Sequence, residues 1–489
     1  VKFLSYHVWP YETPPPTIRR YAAHDSNISY FDGKTIRYFK SERMFQIKHH
    51  KLSVNDCDDI TKKIWGVSRD DVDDVIFVSA DSNTVEPQSN FKNLIKHIYC
   101  ESTDGTKFID HHYAHALSVS LLEDVDISIN IDGKGSLKSW SVYRGEQFLD
   151  CGYIDIAGSI GFSLTHIGHK LNIKGDDIDL AGKLMGAQSY GNIDNELLKL
   201  LRKYDIYNIN PVMYTFEGYT KKLNWLRTVH ERYGEMVLEL FEKYAKPNER
   251  IGYSGGVAQN VIWNSKLKEK YPNLVVMPYS GDEGLSLGGM EFLRRKHNLP
   301  RLSMSNFPFC QSDESPPSEC LQLDRVVNAL ANGKIVAWYQ GNGEIGPRAL
   351  GNRSILMDPR IVNGKDKINR VKNRESFRPF GSSILAEFAK EYFDVDYENP
   401  YMLYVGKVQK DNLSSITHVD GTCRFQTVTT GQFRQLLEKF YELTNCPVLL
   451  NTSLNNAGNP IAAFSANALY EYETNAIDML VIGNEVYER

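Results

Sequence analysis

Cysteine is sparse and unpaired in this sequence: seven in 489 residues, at positions 57, 100, 151, 310, 320, 423 and 446, with no CxxC spacing. That excludes zinc knuckles, a thioredoxin-like dithiol and a disulfide-stapled scaffold. No run of eighteen apolar residues occurs, so nothing reads as a transmembrane helix. The start VKFLSYHVWPYETPPP lacks the apolar core of a signal peptide, and the chain is expected in the cytoplasm, away from membranes. Positive charge is not in excess either. The 56 Lys and Arg against 61 Asp and Glu give a formal net charge of −5, which leaves no general field to attract a polynucleotide or an anionic membrane. The cysteines show no histidine partner, and covalent catalysis by a side chain is not expected. Internal repeats and low-complexity tracts are also absent.

What is present begins with an alternation of short β-rich runs and helical patterns. Such alternation implies an α/β architecture, and the length implies more than one domain. The runs include VDDVIFVSA ending at Ala80, VDISINIDGKG from Val125, RIGYSGGVAQN from Arg250 and NLVVMPYSGDEG from Asn273. In the second of these, Val125, Ile127, Ile129 and Ile131 alternate with polar residues, so a strand is expected to deliver Asp132 to its C-terminal end, where α/β sheets keep their ligands. Residues 306–320 fall in a Ser- and Pro-rich stretch without periodicity and are expected to link a first domain, 1–305, to a second, 321–489.

Histidines cluster in IDHHYAHALSVS, residues 109–120. On a helix His111 and His115 would share a face, and two imidazoles so placed can grip one metal ion if a third ligand joins them. The obvious donor is Asp282, in the turn YSGDEGLSLGG after an expected strand. Two His and one carboxylate leave open positions, which suits Fe(II) or another first-row ion that binds substrate. His112 would point elsewhere and is a candidate to orient a ligand or contact substrate. Glycine-rich turns at IDGKGS, YSGGVAQN and GDEGLSLGG follow strands, and their N–H groups could cradle phosphates. With Asp132 and Asp282 among them, these turns resemble the phosphate-handling core of the actin, sugar-kinase and heat-shock ATPase superfamily. The segment AGKLMGAQSYG adds Lys183.

In the last third, GNGEIGPRALGNRSILMDPR, residues 341–360, sets Arg348, Arg353 and Arg360 among glycines. Planar guanidinium forks pair bidentately with phosphate or carboxylate, and glycine lets the backbone approach closely. The pattern continues through KNRESFRPFGSS, from Lys372, and THVDGTCRFQT, so Lys372, Arg374, Arg378 and Arg424 join Arg348 as cationic candidates, with Ser354, Ser382 and Ser453 as hydroxyl partners. Asn451 and Asn455 flank a Thr-Ser pair in PVLLNTSLNNAGNP. A dense cationic pocket without a nucleophile points to phosphate chemistry run by positioning and electrostatics.

Assembled, these residues give a chain that closely resembles the NodU/CmcH-type O-carbamoyltransferases. The resemblance runs through HDSNISYFDGKT, SERMFQIKHH, HHYAHA, DGKGS, GKLMGAQSYG, SGGVAQN, GDEGLSLGG, GPRALGNRS, KNRESFRPFGSSIL, HVDGTCRFQTV and LLNTSLNNAGNPI. It implies a duplicated actin- and sugar-kinase-like (ASKHA) domain, akin to the threonylcarbamoyl-adenosine tRNA transferases, followed by a smaller YrdC-like α/β domain. The second domain would form carbamoyl adenylate and pyrophosphate from carbamoyl phosphate and Mg-bound ATP, and the first would move the carbamoyl group to a hydroxyl. Arg348, Lys372, Arg378 and Arg424 would handle carbamoyl phosphate and the adenylate, with Asn451 and Ser453 in the same pocket. His111, His115 and Asp282 would hold iron. Lys48, Lys183, Asp132, Gly133, Gly255, Gly256 and Asn260 would serve the nucleotide in the transfer site. Gly182 precedes Lys183 where the family carries an acidic residue, and NTSL stands for the usual NTSF.

The eligible acceptors are sugars, aminocyclitols and a hydroxymethylated pyrimidine, free or in a polynucleotide, and a homodimer is left open. A tRNA threonylcarbamoyl transferase is the competing enzyme reading, but the second domain with GPRALGNRS favours carbamoyl transfer. An inactive ATP-binding regulator is disfavoured by the intact histidine and arginine sets.

Overall fold

Strand order repeats within this protein. The computed structural model describes residues 1–8, 24–78, 99–101, 105–154, 158–216, 220–311, 316 and 321–489, and the described residues form three sheets. In the first sheet, β1 (Phe3–His7), β2 (Asn27–Phe31) and β3 (Thr35–Lys40) pair antiparallel in succession. Next, β4 (Asp74–Val78) lies parallel to β1, and β5 (Tyr99–Glu101) and β6 (Lys107–Ile109) complete that edge, β6 parallel to β4. In the second sheet, β7 (Ile127–Gly135), β8 (Lys138–Arg144) and β9 (Gln147–Tyr153) pair antiparallel, while β10 (Ile251–Ser254) lies parallel to β7 and β11 (Leu274–Val276) parallel to β10. The short β12 (Ser303–Met304) extends the first sheet beside β3. Setting β5 and β12 aside, the orders β3-β2-β1-β4-β6 and β9-β8-β7-β10-β11 are the same. Each has three antiparallel strands with the first innermost, then two parallel ones. The duplicated α/β architecture expected from the sequence is therefore present in the topology itself. The strand expected through Ala80 is described to Val78, and Ala80 lies outside the described residues.

One expectation fails usefully. β7 does not stop at Asp132 but continues to Gly135, with a register shift against β8 between Ile131 and Gly135. Asp132 is presented by an irregularity within the strand, where a bulge re-aims side chains, rather than by a strand end. The helix His111–Ser120 follows β6, and the helix Leu285–Lys296 follows the turn after β11. These helices cross so closely that a Cβ on Gly288 would fall 2.0 Å from the Ala114 carbonyl oxygen.

The chain divides into two compact units, Val1–Glu42 with His49–Ser305, and Asn306–Arg489 with the hexapeptide Arg43–Lys48. The second unit is built on one mixed sheet of β13 (Val336–Tyr339), β14 (Arg353–Met357), β15 (Gly381–Leu385), β16 (Val405–Lys407), β17 (Thr422–Val428), β18 (Val448–Ser453), β19 (Met479–Ile482) and β20 (Glu485–Glu488), in the order β16-β17-β15-β18-β14-β13-β19-β20. Against it packs the helix Gly431–Thr444, whose buried residues Phe433, Leu436, Leu437 and Phe440 recur at the spacing of a single helical face. They join Trp338, Leu356, Ile384 and Leu450 in one core. Among the described residues no helix is long and apolar enough to cross a membrane.

Candidate functional site

Two side-chain clusters stand out, one in each unit. In the first unit, Asp110 caps the helix His111–Ser120 by accepting from the Tyr113 N–H at 3.0 Å, and its other oxygen accepts from Lys138 Nζ at 2.8 Å. The cap starts the helix so that His111 and His115, one turn apart, face the same way, with ring centroids 4.8 Å apart. His111 Nε2 lies 3.3 Å from Asp132 Oδ2 and 3.5 Å from Asp282 Oδ1, and His115 Nε2 lies 4.0 and 3.4 Å from the same two atoms. A Cβ on Gly135 would sit 2.1 Å from His111 Cδ2, so only glycine there leaves room for the ring.

The carboxylates are as firmly held. Asp132 Oδ1 accepts from the Gly256 N–H at 2.8 Å, which turns Oδ2 towards the histidines. The Asp282 backbone oxygen accepts from Asn27 Nδ2 at 2.9 Å. All four side chains are buried. Burial alone would raise the Asp282 carboxyl, but His24 and His111 overcome it and hold it at about 2. Asp132, also opposed by burial, is held well below the usual range by its bond to His111 and by His115. Burial disfavours charge on His111, yet Asp282 and then Asp132 raise it.

The four donors meet the demands of a metal ion. Bonds of roughly 2.0–2.2 Å place neighbouring donors about 3 to 4 Å apart, and the nitrogen-to-oxygen separations here run from 3.3 to 4.0 Å. His115 Nε2 is buried and, among the described residues, makes no hydrogen bond. Two imidazoles and two carboxylates suit a first-row divalent ion and leave positions for substrate. Sequence reasoning placed Asp132 with the nucleotide; the structure puts it beside His111, His115 and Asp282 as a fourth donor. Spacing could not have found it, because it arrives from another sheet strand.

His112 was expected to act in catalysis and is corrected by its contacts. Its Nε2 donates to the Lys138 carbonyl at 3.1 Å, and Nδ1 accepts from the Ser141 hydroxyl at 3.1 Å. Burial first, then His111 and Lys138, push it down to about 3, so it is a neutral wedge under the helix. Two histidines that carried no role in the sequence lie at the cluster: His24 Nε2 is 3.4 Å and His7 Nε2 3.8 Å from Asp282 Oδ2. His24 Nδ1 bonds Asp25 at 2.8 Å, and Asp25 also takes His49 Nδ1 at 2.9 Å and Lys40 at 3.0 Å.

The residues expected to serve the nucleotide divide. Gly133, Gly255 and Gly256 gather around Asp132: a Cβ on Gly255 would meet the Ile131 carbonyl at 2.2 Å, whereas one on Gly133 would meet nothing within 4 Å. Asn260 is a helix cap, accepting from Ile262 and Trp263 N–H at 3.2 Å and contacting His230 Nε2 at 3.0 Å. Lys183 donates to the Lys174 carbonyl within its own segment. Lys48 belongs to the second unit. Its hexapeptide is pinned there by buried Arg43, which donates to the Gly346 carbonyl at 2.9 Å, and by Gln46, which donates to the Ile461 carbonyl at 3.4 Å.

In the second unit the arginine-rich loop is stiffened by its own residues. Glu344 Oε1 accepts the N–H groups of Leu350, Asn352 and Arg353 at 2.8, 2.9 and 3.1 Å. Arg353 is buried, donates to the Gln340 and Gly341 carbonyls at 2.7 and 2.9 Å, and lies 3.8 Å over the Tyr339 ring. Arg360 pairs with Asp358. Of the three arginines expected to serve as forks for an anion, Arg353 and Arg360 serve the protein, while Arg348 is carried, half-buried, in the loop that Glu344 and Arg353 brace.

Beyond that loop, Lys372, Arg374, Arg378, Arg424 and Lys48 form a mutually repelling set. Burial lowers Lys372 far below the usual lysine range, and Arg374, Arg378 and Lys48 add to it against an opposing Glu471. Burial, then Arg378 and Arg424, lower Arg374, and burial with Arg378 brings Arg424 to about 10. Glu375 stands 3.6 Å from Arg378. Cations gathered this way around a buried lysine raise one another's cost unless an anion joins them. Backbone register sets the same zone: Gly381 pairs with both Asn451 and Arg424, and Ser354 with Ser453. Asn451 Nδ2 donates to Ser383 Oγ at 2.8 Å, and Ser382 Oγ contacts Cys423 Sγ at 3.3 Å.

Residues 91–290 match the family profile described as Carbamoyltransferase N-terminus, and residues 327–489 the one described as Carbamoyltransferase C-terminus. Among similar proteins, "Nodulation protein NolNO" of Sinorhizobium fredii is 27% identical over 94% of this chain and 78% of its own length. "3'-hydroxymethylcephem-O-carbamoyltransferase" of Amycolatopsis lactamdurans is 33% identical over 53% of this chain and 52% of its own. A solved structure, the (R)-2-hydroxyglutaryl-CoA dehydratase component A of Acidaminococcus fermentans, overlays at a TM-score of 0.39 and 16% identity, covering 61% of this chain and 99% of that one.

Proposed function

The chain belongs to the carbamoyltransferase family and is an enzyme of that kind, and from this premise we propose that it activates carbamoyl phosphate with ATP and delivers the carbamoyl group to an acceptor hydroxyl. The observation that carries the reading is the set of cations in the second unit, buried Lys372 with half-buried Arg374, Arg378, Arg424 and Lys48, whose mutual repulsion a phosphate-bearing ligand relieves. Carbamoyl phosphate and ATP bring several such charges. Water releases phosphate from carbamoyl phosphate, the carbamate left attacks the α-phosphorus of ATP, and pyrophosphate departs, leaving carbamoyl adenylate. The arginines, with Arg348 from the braced loop, stabilise the charge that moves onto phosphate oxygens, and removing one should cost roughly a hundredfold in rate. Asn451 and Ser453 line the same zone.

Transfer is assigned to the first unit. A divalent ion held by His111, His115, Asp132 and Asp282, which we propose to be Fe(II), would supply Lewis-acid polarisation of a carbonyl or hydroxyl oxygen. The chain's own part is to keep both carboxylates ionised and both imidazoles aimed, through Gly256, Asn27 and Asp110. Gly133, with open space over its Cα, leaves the backbone beside Asp132 approachable by ligand. Acceptors of the hydroxylated natural-product type, or a hydroxymethylated pyrimidine, fit this chemistry.

The test is exchange of labelled pyrophosphate into ATP, expected to require carbamoyl phosphate and no acceptor, and to be lost in Arg378→Ala. Exchange that ignores carbamoyl phosphate, or none at all, sinks the adenylate route. Mass spectrometry for a gain of one carbamoyl group across pooled hydroxylated metabolites, nucleotides and DNA identifies the acceptor.

A further inference from the structure

Asp25 and His49 share a rare feature: both sit in the left-handed region, at φ 58° and 53°, where residues other than glycine seldom go. Such a conformation persists where the surroundings fix it, and here the two side chains are bonded to each other. His49 Nδ1 donates to Asp25 Oδ2 at 2.9 Å, and His24 Nδ1 donates to the same oxygen at 2.8 Å. Lys40 Nζ stands 3.0 Å from Oδ1. The backbone is tied as well. Asn27 Nδ2 donates to the Asp25 carbonyl at 2.7 Å and to the Asp282 carbonyl at 2.9 Å, and the His49 N–H donates to Glu42 Oε2 at 3.2 Å. His49 Nε2, on the far side of the ring, lies 3.6 Å from Asp179 Oδ1.

His24, Asp25 and His49 are close enough to be taken for a metal site of their own. Their separations of 2.8 and 2.9 Å are those of hydrogen bonds instead. Donors around one ion stand about 3 to 4 Å apart, and Lys40 already supplies the cation at Asp25. The set acts on the metal cluster through His24. Asp282 turns Oδ1 to His111 and His115, at 3.5 and 3.4 Å, and its other oxygen to His24 Nε2, at 3.4 Å. Where that ring points depends on Asp25, which holds its Nδ1. An aspartate carboxylate turns over a broad torsional range, so its plane is set by its partners, Lys40 on one oxygen and the two histidines on the other. The two rings stand at 83° to each other, so His49 reaches the carboxylate in a different plane from His24. We propose that His49 is a positioning residue of the metal centre: by fixing the Asp25 carboxylate it aims His24 at Asp282 and so strengthens the hold of the cluster on its ion. The inference rests on the metal-site reading of the first unit.

The test is the dissociation constant of Co(II) from the full chain, measured by competition with a chelator, together with the visible absorption of the bound ion, which reports ligand geometry. His49→Gly adopts a positive φ without steric cost and loses the bond to Asp25, so it should weaken Co(II) roughly tenfold and shift the spectrum. His49→Asn keeps an N–H donor near the place of Nδ1 and also tolerates the left-handed backbone; it should bind Co(II) within about threefold of wild type. A merely structural His49 would lower the thermal midpoint of His49→Gly and leave affinity and spectrum where they were, and that result overturns the proposal. Equal weakening in both variants overturns it too, because the bond to Asp25 would then not be what matters. Should His49→Gly fail to fold, His49→Asp decides, since it matches Asn in size but faces Asp25 with acceptors only. Weaker Co(II) than in His49→Asn supports the positioning role, and equal affinity refutes it. Wild type that takes up no Co(II), or binding that persists in His111→Ala, overturns the metal site and this inference together. Binding that depends on His111 and ignores His49→Gly overturns this inference alone.

Discussion

Charge on the histidines of the first unit is decided by whether neighbouring carboxylates outweigh burial. Burial opposes charge on both His112 and His24, yet one is driven down to about 3 and the other up to about 9: burial, then His111 and Lys138, lower His112, whereas at His24 burial is overcome by Asp282 and Asp25. His49 goes further: burial would lower it, but Asp25 and then Asp179 raise it to about 10. A base with a raised folded pKa contributes its full stability below the unfolded value, near 6.5, and loses it as pH rises through the folded one. His49→Gln should therefore be less stable than wild type at pH 6, with the gap closing towards pH 10, as read by denaturant titration at both ends; a constant gap would mean the ring acts by packing. Residue types were legible in the sequence, but residue roles were less so. His111 and His115 declared themselves by spacing, whereas His112, identical in kind, is told apart only by Ser141 and the Lys138 carbonyl. Arg353 and Arg360 looked like Arg348 in a glycine-rich string, and only the placement of the Gln340 and Gly341 carbonyls and of Asp358 shows that they brace the protein.

At the level of elements, the helix His111–Ser120 is where local sequence and site chemistry meet. Asp110 both caps it and neutralises Lys138, which is buried. Loss of a cap costs about 1 kcal/mol, while stranding a buried ammonium costs roughly 3 to 5 kcal/mol. Asp110→Asn keeps the cap and loses the ion pair, and Asp110→Ala loses both, so the alanine variant should melt lower and the asparagine variant should recover only the smaller share. Equal melting temperatures for the two would show that the cap is idle. Gly135→Ala makes a finer probe, because the three atoms nearest its Cβ would all belong to the His111 ring. The variant should fold, lose bound metal as read by atomic emission, and keep the exchange reaction. The helix was legible in IDHHYAH and the strand in VDISINID, since each carries its own period. The bulge that carries Asp132 into the cluster was not, because it depends on how β7 pairs with β8.

For the molecule as a whole, order along the chain and membership of a unit disagree, and the disagreement is testable. The alternation of strands and helices made the α/β class legible, and the repeated strand order gives the duplication a physical form. Nothing in SERMFQIKHH, however, announced that Arg43–Lys48 would leave the unit built from the residues on both sides of it. Buried Arg43 donates to the Glu344 and Gly346 carbonyls, so the hexapeptide follows them, and Lys48 arrives among the cations around Lys372. If the half-reactions follow units rather than sequence, Lys48→Ala should impair carbamoyl-phosphate-dependent pyrophosphate exchange and leave metal content unchanged. His111→Ala should do the reverse, with metal lost, exchange kept and carbamoyl delivery to the acceptor abolished. Both variants sit in the first quarter of the chain, so a division of labour by sequence position would give them the same phenotype. Loss of exchange in His111→Ala would show that the histidine–aspartate cluster supports the fold of the whole enzyme. Exchange unaffected by Lys48→Ala would remove Lys48 from the anion site, leaving Lys372, Arg374, Arg378 and Arg424 to hold the substrate phosphates.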